Sequence, residues 1–81
     1  MFTNKAFDGK NNICGPQIYD KRIELGISQR QLADMLQIEG LNVDKNAIQR
    51  IEAGKRFVTD IELTVISKVL SLPIDALLKI N

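Results

Sequence analysis

Four side chains with hydrogen-bonding groups suited to the edges of nucleic acid bases lie close together in the middle of the chain: Lys45, Asn46, Gln49 and Arg50. Lysine and arginine can donate to guanine O6 and N7, and asparagine can pair in bidentate fashion with adenine N6 and N7. On a helix, this spacing exposes all four on one side. Such a helix, presented by the helix before it, is what reading base edges in the major groove requires.

The helices that must position these side chains are predicted by a start signal that recurs three times. Ser28 and Thr59 are N-caps with a capping-box partner three residues on, and Asp44 is an N-cap directly before Lys45. Apolar residues that form a hydrophobic staple flank each cap, namely Ile27 with Leu32, Val43 with Ile48, and Val58 with Leu63. The signals predict helix 2 from Ser28, helix 3 over about 45–53 and helix 4 over about 60–70.

Two prolines open the remaining predicted helices. Pro16 is suited to the first turn of helix 1, which ends near Gly26, and Pro73 opens a short helix 5. No strand-like alternation competes with these helices, so the expected fold class is all-α. The 81 residues fit one domain, which we expect over 13–81, preceded by a mobile arm or loose cover over 1–12.

The order of these motifs resembles that of a known family. Two runs carry the resemblance, the second followed by the helix that Thr59 caps: Ser28, Gln29, Arg30, Gln31, Leu32, Ala33, and Ile51, Glu52, Ala53, Gly54, Lys55, Arg56. Over roughly residues 13–79 the chain resembles the Cro/C1-type (XRE-like) helix-turn-helix family of phage repressors and bacterial regulators. This implies a compact five-helix, lambda-repressor-like DNA-binding domain with the helix-turn-helix in helices 2 and 3. Residues 37–43 exceed the tight turn of such repressors, so we expect an extended helix 2 or a looser turn.

The resemblance also implies roles for individual residues. The base-reading positions of helix 3 are those of Lys45, Asn46 and Arg50, with Gln49 an adjacent candidate. The implied phosphate-binding residues lie at the start of helix 2 and just past helix 3, namely Ser28, Gln29, Arg30, Lys55 and Arg56. Gln29 would also brace helix 3, whereas for Arg30 a plain surface position is an equal alternative. Arg22 and Glu52 match a charged pair that ties helix 1 to helix 3 in relatives.

Charge and residue types exclude several function classes. The net charge of +1 excludes a polybasic coat for nucleic acid, although Lys45, Arg50, Lys55 and Arg56 form a local basic face. With no histidine and Cys14 as the only cysteine, we expect neither a metal site of the usual zinc type nor a cofactor. The sequence contains no nucleophile–base pair at a recognisable spacing, so we expect no enzyme. It also contains no membrane-length apolar run, and a cytoplasmic protein is expected.

The C-terminal end carries more apolar residues than so small a core requires: Ile74, Leu77, Leu78 and Ile80. This excess predicts a homodimer through helix 5, with Leu77 in the interface. Two-fold symmetry would then imply double-stranded DNA with an inverted-repeat operator as the partner. The same residues leave an alternative open, namely a protein-interaction module, such as an antitoxin or adaptor, that retains the helix-turn-helix fold and binds a protein partner.

Overall fold

Five helices follow one another in the computed structural model, which describes residues 9–79. Their bounds are α1 Gly15–Leu25, α2 Gln29–Ile38, α3 Lys45–Glu52, α4 Asp60–Leu70 and α5 Ile74–Leu78. The all-α prediction is therefore confirmed, and the five observed helices correspond to the five predicted ones. Residues 1–8, 80 and 81 lie outside the described part of the chain.

Side-chain caps begin the three central helices, as the sequence predicted. Ser28 Oγ accepts from the Gln31 amide at 3.0 Å, and Gln31 Oε1 accepts from the Ser28 amide at 2.7 Å. Thr59 and Glu62 form the same reciprocal pair at the start of α4. At the start of α3, Asp44 Oδ1 accepts from the Ala47 amide at 2.8 Å. These bonds satisfy amides that have no partner within a helix, so the start of each element is fixed locally.

One apolar core joins all five helices. Its fully buried side chains come from each helix in turn: Ile18, Leu32, Leu36, Ile48, Ile51, Ile66, Leu70 and Leu77. Burial of one such side chain contributes about 1.5–3 kcal/mol. Because α3 directs Ile48 and Ile51 into this core, its opposite side is left on the surface.

The connector between α2 and α3 is longer than a tight turn, as expected, and consists of a capped helix end followed by an irregular stretch. After α2 ends, Gly40 adopts a left-handed conformation with φ of 90°. Its amide donates to Gln37 O at 2.9 Å and the Leu41 amide donates to Leu36 O at 3.0 Å, which is the Schellman arrangement. An irregular stretch follows, in which Gln37 Nε2 donates to Val43 O at 2.7 Å and Val43 is buried. The longer connector is thus anchored at both ends rather than loose.

Leu77 corrects one expectation about α5. It is 0% exposed, so the prediction that it lies in a dimer interface is wrong. The physical reason is that α5 closes the core against α1 and α4, and Gln17 Nε2 of α1 donates to Leu77 O at 2.7 Å. Ile74 is 39% exposed and Leu78 is half-buried, whereas Ile80 lies outside the described residues.

Residues 10–12 form a segment, here named the N-terminal strap, that packs on the end of α3. Lys10, Asn11 and Asn12 all donate hydrogen bonds to backbone carbonyls between residues 51 and 56. These bonds make residues 10–12 a cover over the end of α3, whereas residues 1–8 lie outside the described part of the chain and the mobile arm expected over 1–12 stays a prediction. No periodic pattern marks this segment in the sequence, because single polar side chains, not an apolar face, make the contacts.

Candidate nucleic-acid interface

The outer side of α3 carries the four predicted base-reading residues. Lys45, Asn46, Gln49 and Arg50 are all exposed. Among the described residues, none of these four side chains makes a hydrogen bond or ion pair with another part of the chain. They are therefore available to a ligand that approaches this side of the helix.

Two open grooves flank the outer side of α3. One is lined by Asn46, Gln49, Arg50, Ala53 and Lys55, so it brings Lys55 beside three of the base-reading candidates. The other lies between α2 and α3 and is lined by Arg30, Ala33, Asp34, Gln37, Asp44 and Lys45. The sequence placed Asp44 directly before Lys45, but it did not predict that Asp34 of α2 lies in the same groove. Their carboxylates limit the positive potential there, so the groove that contains Lys55 is the more cationic of the two.

The first turn of α2 is the second candidate contact region. Ser28 and Arg30 are exposed there, and the amides of Gln29 and Arg30 occupy helix positions that have no carbonyl partner within the helix. Such amides, together with the positive end of the helix dipole, favour a phosphate. The side chain of Gln29 is turned inward, where its Nε2 donates to Glu52 Oε1 at 3.0 Å.

A buried ion pair connects these helices. Arg22 Nε and Nη2 donate to the two carboxylate oxygens of Glu52 at 2.7 and 3.0 Å, and the side chains are only 9% and 6% exposed. Arg22 Nη1 also donates to Ile27 O at 3.0 Å, just before α2. The hydrogen bond to Glu52 raises the pKa of Arg22, so the guanidinium stays charged despite its burial. Glu52 thus receives donors from α1 and α2 and fixes α3 against both.

A helix-turn-helix family model, HTH_3, matches residues 18–77. The chain belongs to the Cro/C1-type helix-turn-helix family. A similar solved chain is that of the P22 c2 repressor, in a crystal structure with synthetic operator 9T in the presence of Tl+. The two chains are 28% identical with a TM-score of 0.72, and the match covers 86% of this chain and 98% of the repressor chain. No curated protein matches this chain.

Within this Cro/C1-type domain, Arg56 occupies a position that sequence reasoning did not foresee. Its Nη1 and Nη2 donate to the carboxylate of Glu62 at 3.0 and 2.8 Å, and Nη1 also donates to Phe57 O. The same carboxylate completes the cap of α4 through the Thr59 amide. Because Glu62 neutralises Arg56, we expect Lys55 to attract phosphate more strongly than Arg56 does. The signal available in the sequence was the glutamate of the capping box itself.

The Arg56–Glu62 pair makes the stability of this helix-turn-helix domain sensitive to acid. The hydrogen bond from Arg56 lowers the pKa of Glu62. A lowered folded-state pKa stabilises the fold above the ordinary glutamate pKa of about 4.3, and this contribution is lost as pH falls through the folded-state value. Glu62→Gln retains an oxygen for the Thr59 amide but removes the charge that pairs with Arg56. It is expected to lower the free energy of unfolding at pH 7 by roughly 1 kcal/mol, a modest amount because solvent partly screens the pair.

Urea denaturation of wild type and Glu62→Gln at pH 7 and near pH 3 measures this effect. The difference in unfolding free energy between the two proteins is expected to shrink at the lower pH. Glu24→Gln is the matched control, because the carboxylate of Glu24, which pairs with Lys21, is on a side chain that is 68% exposed. A difference between wild type and Glu62→Gln that is the same at both pH values would contradict the assigned role.

Two further properties of the described part of this helix-turn-helix domain are relevant to function. Residues 9–79 contain no group of three or more histidine, cysteine, aspartate or glutamate side chains that could hold a metal ion. Within the same range, every helix is too short or too polar to cross a membrane.

Proposed function

We propose that this protein is a sequence-specific, double-stranded DNA-binding transcriptional repressor in which α3 reads the major groove. The observation that carries the proposal is that the polar side chains on the outer side of α3 are exposed and make no hydrogen bond or ion pair within residues 9–79. The inner side of the same helix packs in the core. The similarity to a repressor in complex with operator DNA supports the same conclusion. The family is one of DNA-binding regulators, not of enzymes.

Base reading is assigned to the exposed residues of α3. Arg50 and Lys45 would donate to guanine O6 and N7, and Asn46 would pair with adenine N6 and N7. Gln49 lines the same groove as Asn46 and Arg50 and is the fourth candidate. Each good bidentate contact discriminates against the wrong base by about 1–3 kcal/mol.

Phosphate binding is assigned to the residues on either side of this reading surface. The first-turn amides of α2 at Gln29 and Arg30, with the Ser28 cap beside them, would receive one DNA strand. Lys55, at the other end of α3, would attract the backbone through its charge, and Arg56 would add a weaker contribution. The position of Arg30 in the groove shared with Lys45 favours the phosphate role over a plain surface position.

We further propose that the protein acts as a homodimer through the surface of α5. Ile74 and Leu78 are the large apolar side chains of α5 that the core does not fully bury within the described residues. A two-fold dimer places its two reading helices about 34 Å apart, so its operator is an inverted repeat with half-sites one turn apart. Because bacterial and phage operators lie in the bacterial cytoplasm, a cytoplasmic location follows from this function.

Selection of binding sites from a random duplex library tests the proposal. Wild type is expected to enrich an inverted repeat, and Arg50→Ala is expected to lose preference at one base pair of each half-site, by about 1–3 kcal/mol. Lys68→Ala is the matched control, because Lys68 pairs with Glu39 away from α3. Enrichment of a single asymmetric half-site would contradict the dimer. No enrichment at any salt concentration would favour the protein-interaction module instead.

A further inference from the structure

The N-terminal strap donates hydrogen bonds to the backbone carbonyl groups of the segment that follows α3. Carbonyl groups at the C-terminal end of a helix lack partners within it and need donors from elsewhere. Here four consecutive carbonyls, at residues 53–56, each accept from the strap. The bonds are Lys10 Nζ to Ala53 O at 3.3 Å, Asn11 N to Gly54 O at 2.8 Å, Asn11 Nδ2 to Lys55 O at 2.9 Å, and Asn12 Nδ2 to Arg56 O at 2.8 Å.

Two glycines permit this close approach. A Cβ atom on Gly15 would collide with Ile51 O, so the start of α1 lies against the last turn of α3 only because residue 15 is glycine. Gly54 has a φ of 77°, and a Cβ atom there would meet the side chain of Lys10. Asn12 joins the two regions, because its Nδ2 donates to Ile51 O at 3.0 Å and its Oδ1 accepts from the Gly15 amide at 2.9 Å.

The side chain of Asn11 is oriented so that its amide nitrogen, not its oxygen, makes a hydrogen bond. Asn11 Oδ1 is buried and has no hydrogen-bond partner within residues 9–79, and a buried polar atom without a partner lowers the stability of a fold. Its amide nitrogen nevertheless faces Lys55 O. The side chain thus holds the backbone of Lys55 while leaving its own oxygen unsatisfied, and Lys55 lies in the groove with Asn46 and Arg50.

We propose that the N-terminal strap is a positioning element of the DNA interface, in which Asn11 holds the backbone of Lys55 so that its ammonium group meets a phosphate beside the reading helix. This inference rests on the proposed DNA-binding function. Asn11 does not touch DNA in this arrangement. It acts through Lys55, and its effect on binding therefore depends on the presence of the lysine side chain.

A double-mutant cycle between Asn11→Ala and Lys55→Ala tests the proposal, with binding to the selected operator titrated against salt. Lys55→Ala keeps the carbonyl that Asn11 binds, so the effect of Asn11→Ala on folding is the same in both backgrounds. Asn11→Ala alone is expected to weaken operator binding about twofold to tenfold, the range that one hydrogen bond provides. In the Lys55→Ala background the same change is expected to alter binding by less than about twofold.

The salt dependence gives a second readout that a purely structural role would not change. Lys55→Ala is expected to reduce the slope of log K against log salt by roughly 1. Asn11→Ala is expected to move the slope in the same direction. Ser67→Ala is the matched control, because Ser67 Oγ also donates to a backbone carbonyl, Leu72 O, but lies far from α3. It is expected to change neither the slope nor the affinity.

Backbone relaxation of the free protein separates this inference from the proposed function. Asn11→Ala is expected to lower the order parameters of Lys55 and Arg56, while Ser67→Ala leaves them unchanged. Unchanged order parameters, or an equal loss of operator binding in both lysine backgrounds, would overturn the positioning role. If wild type binds no duplex, the proposed function fails, and the relaxation measurement still decides whether the strap holds Lys55.

Discussion

Glu52→Ala is expected to destabilise the protein by about 3–5 kcal/mol, because it leaves the buried guanidinium of Arg22 without its carboxylate. The two side chains are almost fully buried and joined by two hydrogen bonds, so the substitution leaves a guanidinium that bulk water solvates poorly. Gln29 loses its acceptor in the same variant. Chemical denaturation at pH 7, with the midpoint and slope both fitted, measures the change.

Two variants separate the buried charge from other effects of this substitution. Arg22→Met combined with Glu52→Leu removes both charges and is expected to recover much of the lost stability, because a buried pair replaced by apolar residues is often close to neutral. Glu24→Ala breaks the pair between Lys21 and the largely exposed carboxylate of Glu24, and is expected to change stability by less than about 1 kcal/mol. Equal losses in Glu52→Ala and Glu24→Ala would show that burial of the pair is unimportant.

Leu77→Asp is expected to unfold the protein rather than to separate a dimer. The substitution leaves a cavity in the core and places a carboxylate where the wild-type side chain is 0% exposed. Loss of a buried leucine alone costs about 2–5 kcal/mol, and an unpaired buried charge adds several more. The total is comparable with the whole stability of a small domain, about 5–15 kcal/mol. Circular dichroism at 25 °C is expected to show loss of helix.

Ile74→Asp is the matched control on the same helix. Ile74 is the first residue of α5 and is exposed, and an acidic residue in the first turn of a helix is favourable. We therefore expect Ile74→Asp to weaken the proposed dimer but to stay folded, with a monomer stability within roughly 0.5 kcal/mol of that of the wild-type monomer. A folded Leu77→Asp protein would contradict the assigned burial, whatever its oligomeric state.

Local signals account for the parts of the structure that the sequence predicted correctly. The caps at Ser28, Asp44 and Thr59 depend on residues no more than three positions away, so their patterns are visible in the chain itself. The outer side of α3 follows from the same local argument, because the positions of Ile48 and Ile51 determine which residues face outward.

Long-range contacts account for what the sequence did not predict. The bonds from Asn11 and Asn12 reach carbonyls 39 to 44 residues later in the chain, and polar residues outside any helix leave no periodic pattern. The burial of Leu77 likewise depends on how α5 packs on α1 and α4, because composition shows only that α5 is apolar. The Arg56–Glu62 pair required knowledge of the turn between α3 and α4.

The division of α3 into two sides has a consequence for how operator preference can change over evolution. The residues that fold the helix, Asp44, Ile48, Ile51 and Glu52, are separate from the four that face outward, and the outward side chains have no partners among the described residues. Substitutions on the outer side therefore leave the bonds and packing that hold the helix in place. With α3 in its proposed base-reading role, a lineage that carries this domain would acquire a new target site by a few surface changes, and an engineer would redirect it by the same route.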